Sequence, residues 1–172
     1  MPDQRPVLVL IGAPGAGKTR LGKRIARLLE VPFIDTDKRI VAEHGPIAEI
    51  FALHGEPHFR AIERATVTQA LTEHAVVALG GGAVIDLDTR AELARHRVVQ
   101  LTVSSEAVEQ RIAGGKRPLV RDGIASWIAL VEARTPIYDS LSQRSIDTSH
   151  RPLDTIASEI ADWIRGMDQE QP

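Results

Sequence analysis

Apolar runs and helically spaced apolar stripes alternate along this chain. Val7–Ile11 is an unbroken apolar run, as expected of a parallel strand buried on both faces. After a glycine-rich stretch, Leu21, Ile25, Leu28 and Leu29 recur at helical spacing until Pro32 ends the pattern. Phe33-Ile34 reads as a second short strand running into Asp35-Thr36-Asp37. Residues 38–54 and 58–73 predict two helices, with Gly55-Glu56-Pro57 between them. Val76–Leu79 predicts a third strand, followed by Gly80-Gly81-Gly82. A helix near 87–95 leads to a strand at Val98–Val103, and a helix near 105–112 to a polar loop at Gly114–Gly123. A helix near 125–142, a strand around Ser145–Asp147 and a last helix carrying Ile156, Ile160, Trp163 and Ile164 complete the pattern.

Such alternation needs crossover connections. It predicts an α/β fold, a mainly parallel sheet with helices on both faces. Ligands in these sheets bind at the carboxyl ends of the strands. Gly12–Thr19, Asp35–Asp37 and Gly80–Gly82 all follow predicted strands, so they are expected to converge on one site.

The 172 residues fit one domain, with only residues 1–5 and 167–172 expected to fray. Hydrophobic residues make up 43% of the chain and aromatics 3%, so the core must be aliphatic. A net charge of −2 argues against a nucleic-acid or membrane-surface binder; an anionic ligand would have to be met by local Arg and Lys clusters. The absence of cysteine excludes disulfides, thiolate metal sites and a cysteine nucleophile. Met1–Pro6 has no apolar h-region, and no apolar run approaches the ~20 residues that span a bilayer, so a cytoplasmic protein is expected.

Gly12-Ala-Pro-Gly-Ala-Gly-Lys18-Thr19 matches the phosphate-loop pattern G-x-x-x-x-G-K-[ST], between an apolar strand and an amphipathic helix. Its backbone N–H groups can curl around phosphate oxygens, Lys18 can reach the β and γ phosphates, and the Thr19 hydroxyl can ligate Mg²⁺. The positive end of the following helix adds to this. Asp35 and Asp37 could divide the holding of Mg²⁺ through water and the deprotonation of an acceptor hydroxyl, or could simply cap a helix. The three consecutive glycines suit close backbone approach to a ligand, or else a plain turn. Arg60, Arg117 and Arg134, alone, read first as solvated or ion-paired surface residues, with Glu56, Glu63 and Glu132 as available partners. Arg117-Pro118 sits in a Gly-flanked polar loop that suits a mobile lid. His54 and His58 do not suggest a metal site, and Trp127 and Trp163 fall in helical stripes that suggest packing.

Taken together and in order, GAPGAGKT, Asp35-Thr36-Asp37, Gly55-Glu56…Phe59-Arg60…Glu63, Gly80-Gly81-Gly82, Arg117-Pro118-Leu119 and Arg134-x-Pro136-x-Tyr138 resemble the shikimate kinases, from Val7 to about Trp163. The resemblance implies a three-layer P-loop fold of the nucleoside-monophosphate-kinase type, with five parallel strands in order 2-3-1-4-5. It implies one kinase domain over 1–172, with acceptor-binding helices at about 37–73 and a lid at about 113–124. The implied reaction moves the γ-phosphoryl group of ATP to the 3-hydroxyl of shikimate, within aromatic amino-acid biosynthesis. By this resemblance Gly15, Ala16, Gly17, Lys18, Thr19 and Arg20 meet the nucleotide, with Arg111, Arg151 and Pro152 flanking adenine. Asp37 takes the acceptor hydroxyl, Arg60 and Arg134 clamp the substrate carboxylate, and Gly80, Gly81 and Gly82 complete that pocket. Lys18, Asp37 and Arg117 would carry the chemistry, and Thr19 and Asp35, the latter through water, the Mg²⁺. The family also implies a monomer.

Three departures from the family pattern stand out: Arg20 where a second Ser or Thr is usual, a short His44-Gly45-Pro46-Ile47 turn, and Val120 where a Leu is usual. Two other readings compete. One is another small-molecule kinase of the superfamily, such as a gluconate kinase. The other is a non-catalytic sensor domain, against which stand Lys18, Asp37 and the intact arginine set.

Overall fold

The computed structural model describes residues 3–113 and 123–171. Strand β1 (Leu8–Gly12) is central, with β3 (Val76–Ala78) and β4 (Val98–Thr102) beside it, and β2 (Phe33–Asp35) and β5 (Arg144–Asp147) at the edges. All four pairings are parallel, in order β2-β3-β1-β4-β5. Strand side chains alternate between faces. Leu8 and Leu10 of β1 face α1 (Lys18–Leu29) and α8 (Leu153–Glu170), packing with Leu21, Ile25, Ile156, Ile160 and Ile164. Val9 and Ile11 face the other way, toward Val67 of α4 (Glu56–Ala70), Leu93 of α5 (Leu87–Leu93) and Tyr138 of α7 (Ile124–Leu141). This three-layer arrangement is the one the alternating pattern predicts.

The chain after β2 differs from the expected single helix over 38–54. It forms α2 (Thr36–His44) and α3 (Ile47–His54). Gly45 adopts φ 87 and returns its N–H to the Val41 carbonyl, and Pro46 then caps α3, so the helix must break there. The expected gap at Gly55-Glu56-Pro57 is shorter than predicted, because α4 starts at Glu56 with Pro57 in its first turn, where a missing N–H removes no helical bond. A small apolar cluster of Ile40, Ile50 and Phe59 joins the three helices. His54 and His58 fall on different helices with ring centroids 4.6 Å apart. A one-turn 3-10 helix, Ala83–Ile85, follows the glycine run, and α6 (Ser105–Ala113) follows β4. The expected lid and its Arg117 lie outside the described residues. Among the described residues no helix is long and apolar enough to cross a membrane.

Candidate phosphoryl-transfer site

The phosphate loop leaves β1 at Gly12 and enters α1 through Gly17, whose φ of 90 a side chain would disfavour. Lys18 folds back over the loop, its Nζ donating to the carbonyls of Gly12 at 2.6 Å and Ala13 at 3.0 Å. Removal from water pushes the Lys18 ammonium down to about 8, against the opposing pull of Asp37 and Asp35. The next residue, Thr19, donates its hydroxyl to Asp35 Oδ2 at 2.5 Å.

The tripeptide after β2 turns three ways. Asp35 caps α2, accepting the Lys38 N–H at 3.0 Å with the oxygen that Thr19 leaves free. It is thus both helix cap and neighbour of the phosphate loop. Thr36 is fully buried; its Oγ1 accepts the Gly80 N–H at 3.1 Å and lies 3.4 Å from the Ala78 carbonyl. Asp37, in the first turn of α2, points at the glycine run. Burial raises its carboxyl above the ordinary range, Asp35 adds to this, and Lys18 and Arg60 oppose it.

Each glycine of the run makes room for one functional group. A methyl group on Gly80 would sit 2.3 Å from Asp37 Oδ1, and one on Gly82 2.5 Å from Arg60 Nη1. At Gly81 it would meet Pro14 of the phosphate loop at 3.3 Å and Arg134 Nη1 at 3.4 Å. Space, more than backbone freedom, is what the run supplies. Arg60 Nη1 donates to Glu63 Oε1 at 2.7 Å, one turn along α4, and its Nε lies 3.4 Å from Glu56. Glu63 is buried, and desolvation raises its carboxyl while the Arg60 hydrogen bond opposes that rise. Tyr138, one turn beyond Arg134 on α7, donates its hydroxyl to the Gly81 carbonyl at 2.7 Å.

On the far side of the phosphate loop, Arg111 of α6 donates to the carbonyls of Gly15 and Thr148, both at 2.7 Å. Thr148, buried just after β5, directs its Oγ1 to the carbonyls of Ala16 at 2.7 Å and Thr102 at 3.1 Å. Trp127 of α7 is buried against Ala13 and Val108 and donates its indole N–H to the Pro14 carbonyl at 2.8 Å. Arg151 pairs with Glu159 of α8.

One cleft of about 1420 Å³ joins these parts. Gly15, Gly17, Lys18, Thr19, Arg20, Asp35, Asp37, Gly80, Gly81, Arg111, Arg151 and Pro152 line it. Ala16 is fully buried beneath the loop, its N–H directed at Ala13 and its carbonyl at Thr148. Beside the cleft, Arg60 lies against Gly82 and Arg134 against Gly81. Sequence reading missed Thr148 as a support of the loop and took Trp127 for packing alone. Thr148 carries no local signal, because its partner Ala16 is 132 residues away. The Thr19 hydroxyl and the Asp35 carboxylate, both hard oxygens, suit Mg²⁺, which needs few protein ligands beside phosphate and water. Among the described residues no larger cluster of His, Asp or Glu competes with them.

A phosphate loop on the central strand of a 2-3-1-4-5 sheet, with the Asp37 carboxylate in the same cleft and two arginines held at the neighbouring glycine run, defines a P-loop phosphotransferase for a small acceptor. The family model described as shikimate kinase matches residues 14–165. A shikimate kinase of Thermobifida fusca is 44% identical over 163 residues, covering 92% of this chain and 95% of the relative. The solved structure of shikimate kinase from Acinetobacter baumannii in complex with shikimate superposes with a TM-score of 0.85 at 32% identity, covering 94% of this chain and 93% of that one. The chain belongs to the shikimate kinase family. A gluconokinase from Sinorhizobium meliloti, 18% identical with a TM-score of 0.59 over 97% of this chain and 95% of its own, shares the fold alone.

Proposed function

We propose that this chain transfers the γ-phosphoryl group of ATP to the 3-hydroxyl of shikimate, yielding shikimate 3-phosphate and ADP. The observation that carries this reading is the glycine run, which gathers Asp37, Arg60 and Arg134 from three helices on one side of the phosphate loop. Two guanidinium forks suit a carboxylate, and the Asp37 carboxylate beside them suits a hydroxyl. Asp37 accepts or orients the hydroxyl proton, and its raised carboxyl is a better proton acceptor than an ordinary aspartate. The loop amides cradle the phosphates, and Lys18 swings from the Gly12 and Ala13 carbonyls to offset charge on the transferring group. Thr19 and, through water, Asp35 would hold Mg²⁺, which would supply positive charge to offset that of the phosphates. Arg20, Arg111, Arg151 and Pro152 form the nucleotide flank of the same cleft. Arg117 joins this assignment on its motif alone, as the group that closes over the transferring phosphoryl. A cytoplasmic location belongs to the same reading, and the cysteine-free composition suits it.

A coupled ADP-release assay across shikimate, quinate, gluconate and nucleoside monophosphates tests the proposal. Turnover with shikimate well above all the others is expected. Preference for another acceptor, or ADP release independent of any acceptor, would overturn it.

A further inference from the structure

Helix α7 touches both halves of the site with one face. Trp127, Val131, Arg134 and Tyr138 are spaced i, i+4, i+7 and i+11, which puts them on a single helical stripe about 16 Å long. At one end the Trp127 indole N–H holds the Pro14 carbonyl of the phosphate loop at 2.8 Å. At the other the Tyr138 hydroxyl holds the Gly81 carbonyl of the acceptor pocket at 2.7 Å. The two anchored residues are near neighbours: a methyl group on Gly81 would lie 3.3 Å from the Pro14 ring. Helix α7 therefore ties together two segments, the phosphate loop and the glycine run, that lie side by side. Arg134 sits between the two anchors on that helix, its Nη1 3.4 Å from the same point on Gly81. Both anchors are buried, Trp127 at 4% exposure and Tyr138 at 2%, so water does not readily replace either bond.

The helix does not hold this register unaided. Pro136, inside α7, has no N–H for the carbonyl four residues back, so the helix is weakened beside Arg134. The anchors flank that weak point. We infer that Trp127 and Tyr138 are positioning residues, which fix the Arg134 fork relative to the phosphate loop and so set the distance between phosphoryl donor and acceptor hydroxyl. This inference rests on the shikimate kinase reading above. Neither side chain touches the reacting atoms; each acts through Pro14 or through Gly81 and Arg134.

Trp127→Phe and Tyr138→Phe delete one donor each while keeping an aromatic ring, and the pair separates positioning from mere support. For Trp127→Phe, KM for ATP should rise and kcat should fall, each by about three- to tenfold, as expected for one lost buried hydrogen bond. For Tyr138→Phe, the same change should appear in KM for shikimate and in kcat, with KM for ATP unmoved. Because both anchors act on one helix, the double variant should lose less kcat than the product of the single losses. Lowered melting temperatures with kcat and both KM values within twofold of wild type would overturn the inference, as would equal rises of both KM values in both variants. Calorimetric titrations of ADP and of shikimate give the same split without turnover. Wild-type protein that binds ADP but does not phosphorylate shikimate would sink the acceptor reading alone, and ADP binding by Trp127→Phe would still decide the nucleotide arm.

Discussion

The two halves of the cleft are built by different means. The donor half comes from one continuous stretch, Gly12–Thr19, and works mainly through backbone groups held by partners such as Trp127, Arg111 and Thr148. The half proposed for the acceptor comes from segments as far apart as Asp37 and Arg134, and offers charged side chains seated against glycines. Electrostatically the halves mirror each other. Burial pushes Lys18 toward its neutral form from one side, and Asp37 and Glu63 toward theirs from the other. A peptide loop can be specified by a short motif, whereas a pocket of distant charges exists only once the sheet has assembled.

The sharpest way to break the comparison is to remove one charge from each half. Asp37→Asn should lower kcat by about 10²–10⁴-fold, the usual contribution of a positioned base, with ADP affinity measured by calorimetry unchanged. Lys18→Ala should lower it by about 10²–10³-fold and weaken nucleotide binding as well. If Asp37→Asn keeps the wild-type rate, Asp37 is only a first-turn helix residue.

Gly80→Ala tests the steric basis of the acceptor half without touching a charge. The added methyl would lie 2.3 Å from Asp37 Oδ1 and must displace the carboxylate. A misplacement of this kind can reduce the rate by about 10²-fold, so kcat should fall while nucleotide affinity holds. Wild-type turnover in a folded Gly80→Ala protein would show that the run is a plain turn.

Arg60→Lys and Arg134→Lys keep the charge and lose the fork. Each should raise KM for shikimate roughly tenfold or more, as expected for a lost charge-assisted hydrogen bond, with ADP affinity little changed. Equal loss of ADP and shikimate affinity, measured by paired titrations, would assign these arginines to phosphates.

The smallest expected effect is on pH dependence. Burial pushes the Lys18 ammonium down to about 8 from its ordinary 10.5, so kcat/KM for ATP should already be falling by pH 8. Asp37 takes up its proton above its ordinary 3.8, so the acid limb should sit higher than for a normal carboxylate. Both shifts oppose folding at neutral pH. Above its unfolded pKa, the folded chain holds the Asp37 proton more tightly than the unfolded chain does. Stability therefore falls as pH rises through that window. Asp37→Asn should melt higher than wild type at pH 7, with the gain vanishing at acidic pH where the native carboxyl is protonated. An unchanged melting temperature at both pH values would remove the assigned burial.

Sequence reading reached the sheet, its order through the family likeness, and the donor half, because unbroken apolar strands and a glycine-lysine loop are local signals. It joined α2 and α3 because the apolar pattern of residues 38–54 outweighed Gly45-Pro46, which sets the break. It saw the glycine run without its physical reason, since nothing local says that Asp37, Arg134 and Arg60 each press on one glycine. The loop-holding bonds of Trp127 and Thr148 were invisible for the same reason, their partners lying 113 and 132 residues away.

Asp35, Thr36 and Asp37 commit three successive side chains to the phosphate loop, the sheet interior and the glycine run. In evolutionary terms, a shift of frame should damage this tripeptide more than replacement of any one of its residues, because it moves all three side chains at once. Adding or deleting a single residue at the start of α2 would rotate the rest of the helix by about 100°, the angular step per residue. An insertion before Asp35 would turn that carboxylate into the sheet and bring the Thr36 hydroxyl to the Asp37 place, and a deletion there would bring Lys38 to it. Here a library of insertions and deletions should show a sharper gap than a library of substitutions.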